Sequence, residues 1–346
     1  MNMVAKPLRV AVIGAGYFSQ FHVDAWRRNS DTELVAIADT NEQNARDLAA
    51  DDANIAVYGD AASLLSEQKV DIVDVVVPPA AHLDMLRLIL AYDVAIICQK
   101  PFCGTLANAR QALDMIEEAG RLVVVHENFR FQPWYRKIKS LIDEGLVGDL
   151  YQVTYRLRPG DGQGADAYLA RQPYFQKMER FLIHETGVHW VDTFRYLLGE
   201  PKSVLADLRR LNPAISGEDS GFFIYRYDDG RRALFDGNRL VDHVAENSRR
   251  TMGELIVEGA KGVLSLNGDG EIFFRQMGSA EATLIASAFS TDGFGGDCVY
   301  ALQRHVSDHL LHGAPIENEA RDYVGNIVIE EAIYESAASG AAVQTR

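Results

Sequence analysis

Short apolar runs alternate with helical segments over the first third of the chain. The runs are LRVAVIG, LVAIAD, IVDVVV, VAIICQ and RLVVVHE, and the segments between them include TLANARQALDMIEEAG. Strands that are apolar along their whole length are typical of a parallel sheet buried on both faces. The pattern from Leu8 to about His126 therefore predicts an α/β domain with a doubly wound parallel sheet of the Rossmann type.

The pattern changes after residue 128. A helix through PWYRKIKSLIDEG precedes runs of period-two alternation, which are LYQVTYRLR, FFIYRYDDGRRALFDG, ELIVEGAKGVLSLNG and EIFFRQM. Asp-Asp-Gly between two such runs indicates a hairpin. We expect an α+β domain with a mostly antiparallel, open sheet. This divides the chain into a dinucleotide-binding domain, 1–128, and a substrate-binding and oligomerisation domain, 129–346, whose C-terminal helix packs back on the first domain.

The balance of charge excludes some partners. A formal net charge of −15 and the lack of a basic cluster argue against nucleic acid and anionic membrane surfaces. The most apolar stretch is interrupted by Asp93 and is too short to cross a bilayer. Three cysteines, an odd number, favour a reducing compartment. We read the N-terminal run as a first strand rather than a signal peptide, and expect a cytoplasmic protein. Because few helices are available to cover the open sheet, we also expect a homodimer or homotetramer.

A glycine motif lies between the first strand and the first helix. Gly14 permits a tight turn, and Gly16 allows the backbone to approach a pyrophosphate at the N-terminus of the helix that follows Tyr17 and Phe18. Ser19 stands where the third glycine of such motifs is usual. Alone, this motif is a weak indicator of dinucleotide binding.

The end of the second strand strengthens the cofactor prediction. Asp39 follows Gly16 by about 23 residues, where a carboxylate accepts hydrogen bonds from the adenosine ribose and repels a 2′-phosphate. Thr40, not a basic residue, comes next, which favours NAD over NADP. The alternative is that Asp39 only caps the following helix.

Two further strand ends lie at the same edge of the predicted sheet, where ligands of open α/β sheets bind. One carries Pro78, Pro79 and His82, and the other reads Gln99-Lys100-Pro101. With the glycine motif and Asp39, these elements resemble the glucose-fructose oxidoreductase, inositol dehydrogenase and MocA (Gfo/Idh/MocA) family over nearly the whole chain. The family's Glu-Lys-Pro motif has Gln in place of Glu here, which removes one negative charge and leaves the role of Gln99 open.

The resemblance implies a cofactor site and a catalytic lysine. Lys100 matches the family residue that lies beside the nicotinamide and the reacting carbinol, where an ammonium stabilises a developing alkoxide. The residues expected to contact the cofactor are Gly14, Gly16, Tyr17, Phe18, Asp39, Thr40, Pro78, His82, Gln99, Lys100 and Asn128.

A second motif supplies the expected base. Glu185 and His189 are four residues apart and share one face of a predicted helix, with Asp192 three residues further along. The resemblance makes His189 the general base and puts Glu185 where the family usually has Asp. An ordinary pair on a helix face is the alternative. His184 is either a residue of the substrate pocket or the cap of that helix.

A polar loop completes the expected substrate site. Arg130 follows the last strand of the first domain, and the loop from Arg158 to Tyr174 combines Tyr, Arg, Asp and Gln side chains. In relatives these regions lie near the nicotinamide and shape the sugar pocket; the alternative for the loop is a polar surface turn. The expected substrate-binding residues are Lys100, Arg130, Tyr168, Arg171, His184, Glu185 and His189.

We expect no metal site. His305, His309 and His312 share one helix face, but that element provides no carboxylate or cysteine at ligand spacing. The resemblance implies an NAD-dependent dehydrogenase that oxidises a hydroxyl of a sugar, polyol or cyclitol. Two alternatives stay open: a glycoside hydrolase or epimerase that oxidises its substrate transiently, and a non-catalytic sensor of NAD or a metabolite.

Overall fold

The computed structural model describes residues 6–50, 52–290 and 292–345. Those residues form two compact units. The first unit extends to Asn128 and includes Asp297–Ile327, and the second contains Phe129–Gly296 and the chain from Val328 onward. Residues 129–346 were predicted as one domain, but residues 297–327 group with the first unit.

The first unit contains a six-stranded parallel sheet in the order β3-β2-β1-β4-β5-β6. Its strands are β1 Leu8–Ile13, β2 Thr32–Ala38, β3 Ala56–Tyr58, β4 Ile72–Val75, β5 Ala95–Gln99 and β6 Val123–His126. Its helices are α1 Ser19–Arg28, α2 Glu42–Ala49, α3 Ala61–Glu67, α4 His82–Ile89, α5 Leu106–Ala119 and α8 Cys298–His312. The predicted doubly wound sheet is confirmed, with β3 as an additional short strand.

Helix α8 belongs to the first unit because it packs against α1. The Gln303 side chain donates to the carbonyl oxygen of His22, and the Asn29 side chain donates to Ser307. These bonds join buried polar groups, so they fix how α8 packs on α1.

The second unit is built on a nine-stranded sheet in the order β14-β13-β12-β11-β7-β10-β9-β8-β15. Its strands are β7 Leu150–Leu157, β8 Ser203–Arg209, β9 Ser220–Arg226, β10 Arg232–Asn238, β11 Gly253–Gly259, β12 Gly262–Leu266, β13 Ile272–Gln276, β14 Thr283–Ala286 and β15 Val343–Gln344. Its helices are α6 Pro133–Asp143, α7 Val188–Leu198 and the later part of α9 Ala320–Ser339.

This sheet is mostly antiparallel, as predicted, except that β10 pairs with β7 in parallel. The expected hairpin turn at Asp228–Gly230 joins β9 to β10. One face of the sheet forms the core with α6 and α7, through residues such as Trp134, Trp190 and Phe223. The opposite face carries the partly exposed alternate residues of each strand.

None of the helices in the described ranges is both long and apolar enough to cross a membrane.

Candidate active site

The glycine turn in the first unit combines one crowded and one open position. Gly14 has φ of +103°, and a Cβ atom there would lie 2.3 Å from the carbonyl oxygen of Val76. A side chain is therefore excluded at Gly14 both by the backbone conformation and by its packing. A Cβ atom on Gly16 would meet nothing within 4 Å, so this backbone faces open space at the N-terminal end of α1. A pyrophosphate requires such an approach.

Asp39 connects the end of β2 to the glycine turn. Its Oδ2 accepts a hydrogen bond from the backbone nitrogen of Ala15 at 2.7 Å, and its Oδ1 accepts one from that of Asn41 at 2.8 Å. The N-cap of α2 is Asn41 rather than Asp39. Because each carboxylate oxygen can accept more than one hydrogen bond, Asp39 keeps capacity for ribose hydroxyls.

His82 is held by the backbone on both sides of its ring. Its Nε2 lies 2.9 Å from the carbonyl oxygen of Val77, and its Nδ1 accepts a hydrogen bond from the backbone nitrogen of Cys103 at 3.2 Å. Burial lowers the pKa of His82 to about 4, so the ring is neutral at physiological pH. The sequence analysis placed His82 among the cofactor contacts, but its ring is fully buried. These bonds give it the role of fixing the turn that carries Pro78.

The other predicted cofactor contacts differ in exposure. Tyr17, Thr40 and Pro78 are exposed, whereas Phe18 is half-buried. Asn128 is only 3% exposed, and its side-chain nitrogen has no hydrogen-bond partner among the described residues. A buried amide donor without a partner is costly, which makes this atom a candidate for a hydrogen bond to a ligand. The open glycine turn, Asp39 and Asn128 together fit a nicotinamide dinucleotide.

Gln99 ends β5 at the carboxyl edge of the sheet, and Lys100 follows it directly. The side-chain oxygen of Gln99 accepts a hydrogen bond from the Lys100 backbone nitrogen at 2.7 Å. The side-chain nitrogen of Gln99 lies 3.1 Å from Nε2 of His22 on α1. Gln99 therefore orients the backbone of the half-buried lysine.

Glu185 and His189 lie where two kinds of helix meet in the second unit. The sequence analysis placed both on one α-helix, but residues Leu182–Gly187 form a π-helix and α7 begins at Val188. Short π-helical segments are frequent at functional sites. His189 is 7% exposed, and its ring stacks on Phe129 with centroids 3.7 Å apart and planes within 1°. This contact fixes the imidazole plane.

Arg130 is engaged by an acidic residue of α7. Its Nε and Nη2 donate to the two carboxylate oxygens of the buried Asp192, at 2.7 and 2.6 Å. The bidentate pair indicates that Arg130 holds the start of the second unit against the helix that carries His189. The predicted contact of Arg130 with substrate stays a prediction.

His184 faces α9. Its Nδ1 lies 2.6 Å from the carboxylate of the buried Glu330. A second buried acid, Glu218, accepts bonds from the backbone nitrogens of Phe181 and Ile183 and from the Tyr334 hydroxyl. His184 lies within the π-helix, whose N-cap is Phe181, so it is not the cap of that helix, and its place in the substrate pocket stays a prediction. The contacts with Glu330 and Tyr334 hold the start of the π-helix against α9.

Arg239 is the principal residue that the sequence analysis missed. It is 1% exposed, donates to both oxygens of Asp161 at 3.1 and 2.6 Å, and donates to the hydroxyl of Thr186 in the π-helix at 2.7 Å. Although burial by itself lowers the pKa of the Arg239 guanidinium, the negative charges of Asp161 and Glu185 contribute to raising it above its ordinary value. Arg239 therefore ties the polar loop to the segment that carries Glu185.

The polar loop is ordered around this arginine. Tyr168 packs its ring 5.1 Å from the Arg239 guanidinium, in a small apolar cluster with Phe175 and Phe181. Burial raises the pKa of Tyr168 to about 12. Arg171 contacts Asp161 at 3.6 Å and donates to Gln172. The predicted substrate residues Tyr168 and Arg171 thus have clear roles within the loop itself.

Tyr174 marks the side of the loop that faces Glu185. Burial, and then the Glu185 carboxylate, raise the pKa of Tyr174 to about 12. Tyr174 nevertheless has 55% of its surface exposed, and its hydroxyl accepts a bond from Gln172. Glu185, Tyr174 and Gln172 therefore form a polar, accessible part of the second unit.

Two of the three histidines considered as metal ligands have backbone partners. His305 accepts a hydrogen bond from the backbone nitrogen of Glu317, and His309 Nδ1 lies 2.6 Å from the carbonyl oxygen of Ala314. These bonds secure the chain that follows α8.

Comparison with known proteins gives matches over both units. Residues 8–127 match the model of an oxidoreductase family with an NAD-binding Rossmann fold, and residues 135–265 match the GFO/IDH/MocA C-terminal domain. A D-apiose dehydrogenase of Paraburkholderia graminis is 30% identical over 99% of this chain and 90% of its own length. A D-apiose dehydrogenase of Rhizobium rhizogenes is 29% identical, over 99% and 98%. An oxidoreductase from Agrobacterium radiobacter, solved with NAD⁺, L-tartaric acid and magnesium, superposes with a TM-score of 0.87, at 26% identity and with coverage of 98% and 99%.

Proposed function

Because the chain belongs to the Gfo/Idh/MocA oxidoreductase family, we propose that it is an NAD-dependent dehydrogenase that oxidises a secondary or hemiacetal hydroxyl of a sugar, polyol or cyclitol. The similarity to D-apiose dehydrogenases over 99% of the chain carries this proposal. It makes D-apiose the first substrate to test. The candidate-site residues described above supply the chemistry.

The first unit would hold the cofactor through the backbone at Gly16, the carboxylate of Asp39 and the side chain of Asn128. When bound, a nicotinamide dinucleotide supplies the acceptor for the hydride. Asp39 and the lack of a basic residue at positions 40 and 41 support NAD as the preferred form, because a 2′-phosphate would meet a carboxylate rather than a cation.

Lys100 would act on the oxygen of the substrate hydroxyl, and His189 on its proton. The Lys100 ammonium stabilises negative charge that develops on the oxygen as the carbon is oxidised. His189 accepts the proton of the hydroxyl. The stacking on Phe129 keeps the His189 ring in one plane, so that one ring nitrogen faces the hydroxyl. Glu185 orients either the base or a neighbouring hydroxyl of the sugar.

Incubation with NAD⁺ and a panel of sugars, with absorbance at the NADH band as readout, tests the activity. Lys100→Ala and His189→Ala should each reduce kcat by roughly 100-fold or more, the usual effect of removing an oxyanion donor or a general base. Lys69→Ala and His312→Ala, which change exposed residues of the same types, should keep full turnover. Full turnover in both active-site variants would refute the residue assignment.

The same assay separates the alternatives. Consumption of sugar without accumulation of NADH would identify transient oxidation, as in a glycoside hydrolase or an epimerase. Ligand binding with no turnover of any sugar would identify a sensor.

The open face of the nine-stranded sheet supports self-association. Ile224, Leu234, Thr154 and Ile256 lie side by side across β9, β10, β7 and β11 on the face opposite the core. A mostly apolar row of this kind on an open sheet face is suited to cover by a second copy. We propose a homodimer or homotetramer through this face. Sedimentation should show association of the wild type and a shift toward monomer for Ile256→Glu; monomeric wild-type protein would refute it.

A further inference from the structure

A chain of hydrogen bonds leads from the interior of the first sheet to the backbone of Lys100. Nδ1 of His22 lies 2.8 Å from Oδ2 of Asp74, and the same oxygen accepts a bond from the Trp26 indole at 2.7 Å. Asp74, His22 and Trp26 are all fully buried. Nε2 of His22 meets the side-chain nitrogen of Gln99, whose oxygen accepts from Lys100.

The direction of every bond in this chain follows from one fixed donor. The backbone nitrogen of Lys100 can only donate, so the oxygen of Gln99 must face it and the Gln99 nitrogen must face His22. An amide nitrogen also only donates, so Nε2 of His22 must accept. The single ring proton is then on Nδ1, where it is donated to Asp74.

We infer that Gln99 is a positioning residue. It fixes His22 in the neutral Nδ1-H form and holds the backbone of Lys100, and no proton moves along this series of hydrogen bonds. This inference deepens the proposed dehydrogenase function, since it concerns the support of its lysine. The hydrogen-bonding part stands on the geometry of the first unit alone.

A glutamate at this position, as in the family motif, requires a different protonation state. Two ionised carboxylate oxygens would face Lys100 and His22, and neither can donate. To keep both bonds, one proton must be added, either on Nε2 of His22 or on the introduced carboxylate itself. Wild-type Gln99 makes both bonds without this proton.

Other groups surround the His22–Asp74 pair but are not part of this series of hydrogen bonds. His126 on β6 packs its ring 4.1 Å from that of His22, and Cys98 on β5 lies near the Asp74 carboxylate. Helix α8 contributes the uncharged Gln303, which bonds to the His22 backbone, and Lys100 contributes its charge from the end of β5.

Nitrogen NMR of histidine-labelled protein tests the inference directly, without any need for turnover. In the wild type, His22 should show a protonated Nδ1 and a bare Nε2. In Gln99→Glu, one additional proton should be needed to keep the same bonds, either on Nε2 of His22 or on the introduced carboxylate. A protonated Nε2 of His22 in the wild type would overturn the inference.

Kinetics then show whether this series of hydrogen bonds positions Lys100. Gln99→Glu should acquire an additional ionisation in its profile of kcat/KM against pH, with a fall on the order of tenfold at high pH because a new negative charge lies beside Lys100. Gln99→Met, which removes both bonds, should lose activity about equally at all pH values. Gln111→Glu adds the same charge at an exposed position of α5 and should change neither profile. If Gln99→Met keeps the wild-type activity and Gln99→Glu keeps the wild-type pH profile, these hydrogen bonds do not act on Lys100. If no sugar is turned over by any variant, only the proposed function fails, because the NMR result is independent.

Discussion

Removal of the Asp39 carboxylate should weaken NAD binding and reverse much of the preference against NADP. In Asp39→Ala the bonds from Ala15 and Asn41, at 2.7 and 2.8 Å, are lost together with the acceptors for the ribose. A hydrogen bond to a charged group contributes about 1.5–3 kcal/mol. Loss of one such bond to the ribose raises the Kd for NAD roughly 10- to 100-fold.

The same substitution should affect NADP in the opposite sense. A 2′-phosphate no longer meets a carboxylate, so we expect the Kd for NADP to stay constant or fall, and the ratio of the two Kd values to shift at least about tenfold toward NADP. Because the glycine turn also loses its bond to Asp39, the free energy of unfolding should decrease by about 1–2 kcal/mol, since the carboxylate is only half-buried.

Calorimetric titration with each dinucleotide measures both constants, and urea unfolding measures the stability. Asp114→Ala removes an exposed carboxylate from α5 and serves as the matched control, with no change expected in either Kd. If Asp39→Ala bound NAD as tightly as the control and showed no gain for NADP, the assignment of Asp39 to the ribose would be wrong.

Three further predictions concern the two units. Gly14→Ala should lower the melting temperature and abolish NAD binding, because its Cβ meets the Val76 carbonyl, whereas Gly16→Ala should weaken NAD binding at unchanged melting temperature; equal melting temperatures for the two variants would contradict the packing argument. His82 has a folded pKa of about 4, below its unfolded value, so the unfolded chain binds more protons and stability should fall as the pH drops from about 6.5 to 4; His82→Gln should lack this loss in urea titrations at each pH. Arg239→Met leaves Asp161 and Thr186 without their buried partner and should cost about 3 kcal/mol of unfolding free energy and most of kcat/KM. The Kd for NAD, measured by titration, should stay unchanged because the cofactor residues lie in the first unit. Weaker binding of NAD would refute the assignment of Arg239 to the substrate side alone.

The fold of the first unit was largely predictable because each buried parallel strand is a continuous apolar run. The short strand β3, Ala56–Tyr58, was missed because it has three half-buried residues and no such run. Asp74 could have been found from the sequence, since it is the only charged residue within the apolar run of β4, and a buried carboxylate requires partners. Its partners, His22 and Trp26, could not, because they lie on a different element about 50 residues away.

The second unit was less predictable at the site than in its sheet. Alternation revealed most strands, but the π-helix at Leu182–Gly187 depends on tertiary bonds from Glu218 and Tyr334 that no local pattern reveals. Arg239 follows a strand, and its place in the sequence predicts a surface residue. In the structure it is buried, and its charge is balanced by Asp161, 78 positions earlier. Tyr168 and Arg130 have partners within their own unit, and their expected contacts with substrate stay predictions.

We propose that Lys100 and His189 act on the same hydroxyl during a single hydride transfer. Rapid-mixing measurement of NADH formed in the first turnover, with Lys100→Ala, His189→Ala and the double variant, tests this proposal. Because groups that act in one step are not additive, we expect the double variant to be little slower than the slower single variant. Independent losses that multiply in the double variant, or a first turnover that neither single variant slows, would contradict the claim.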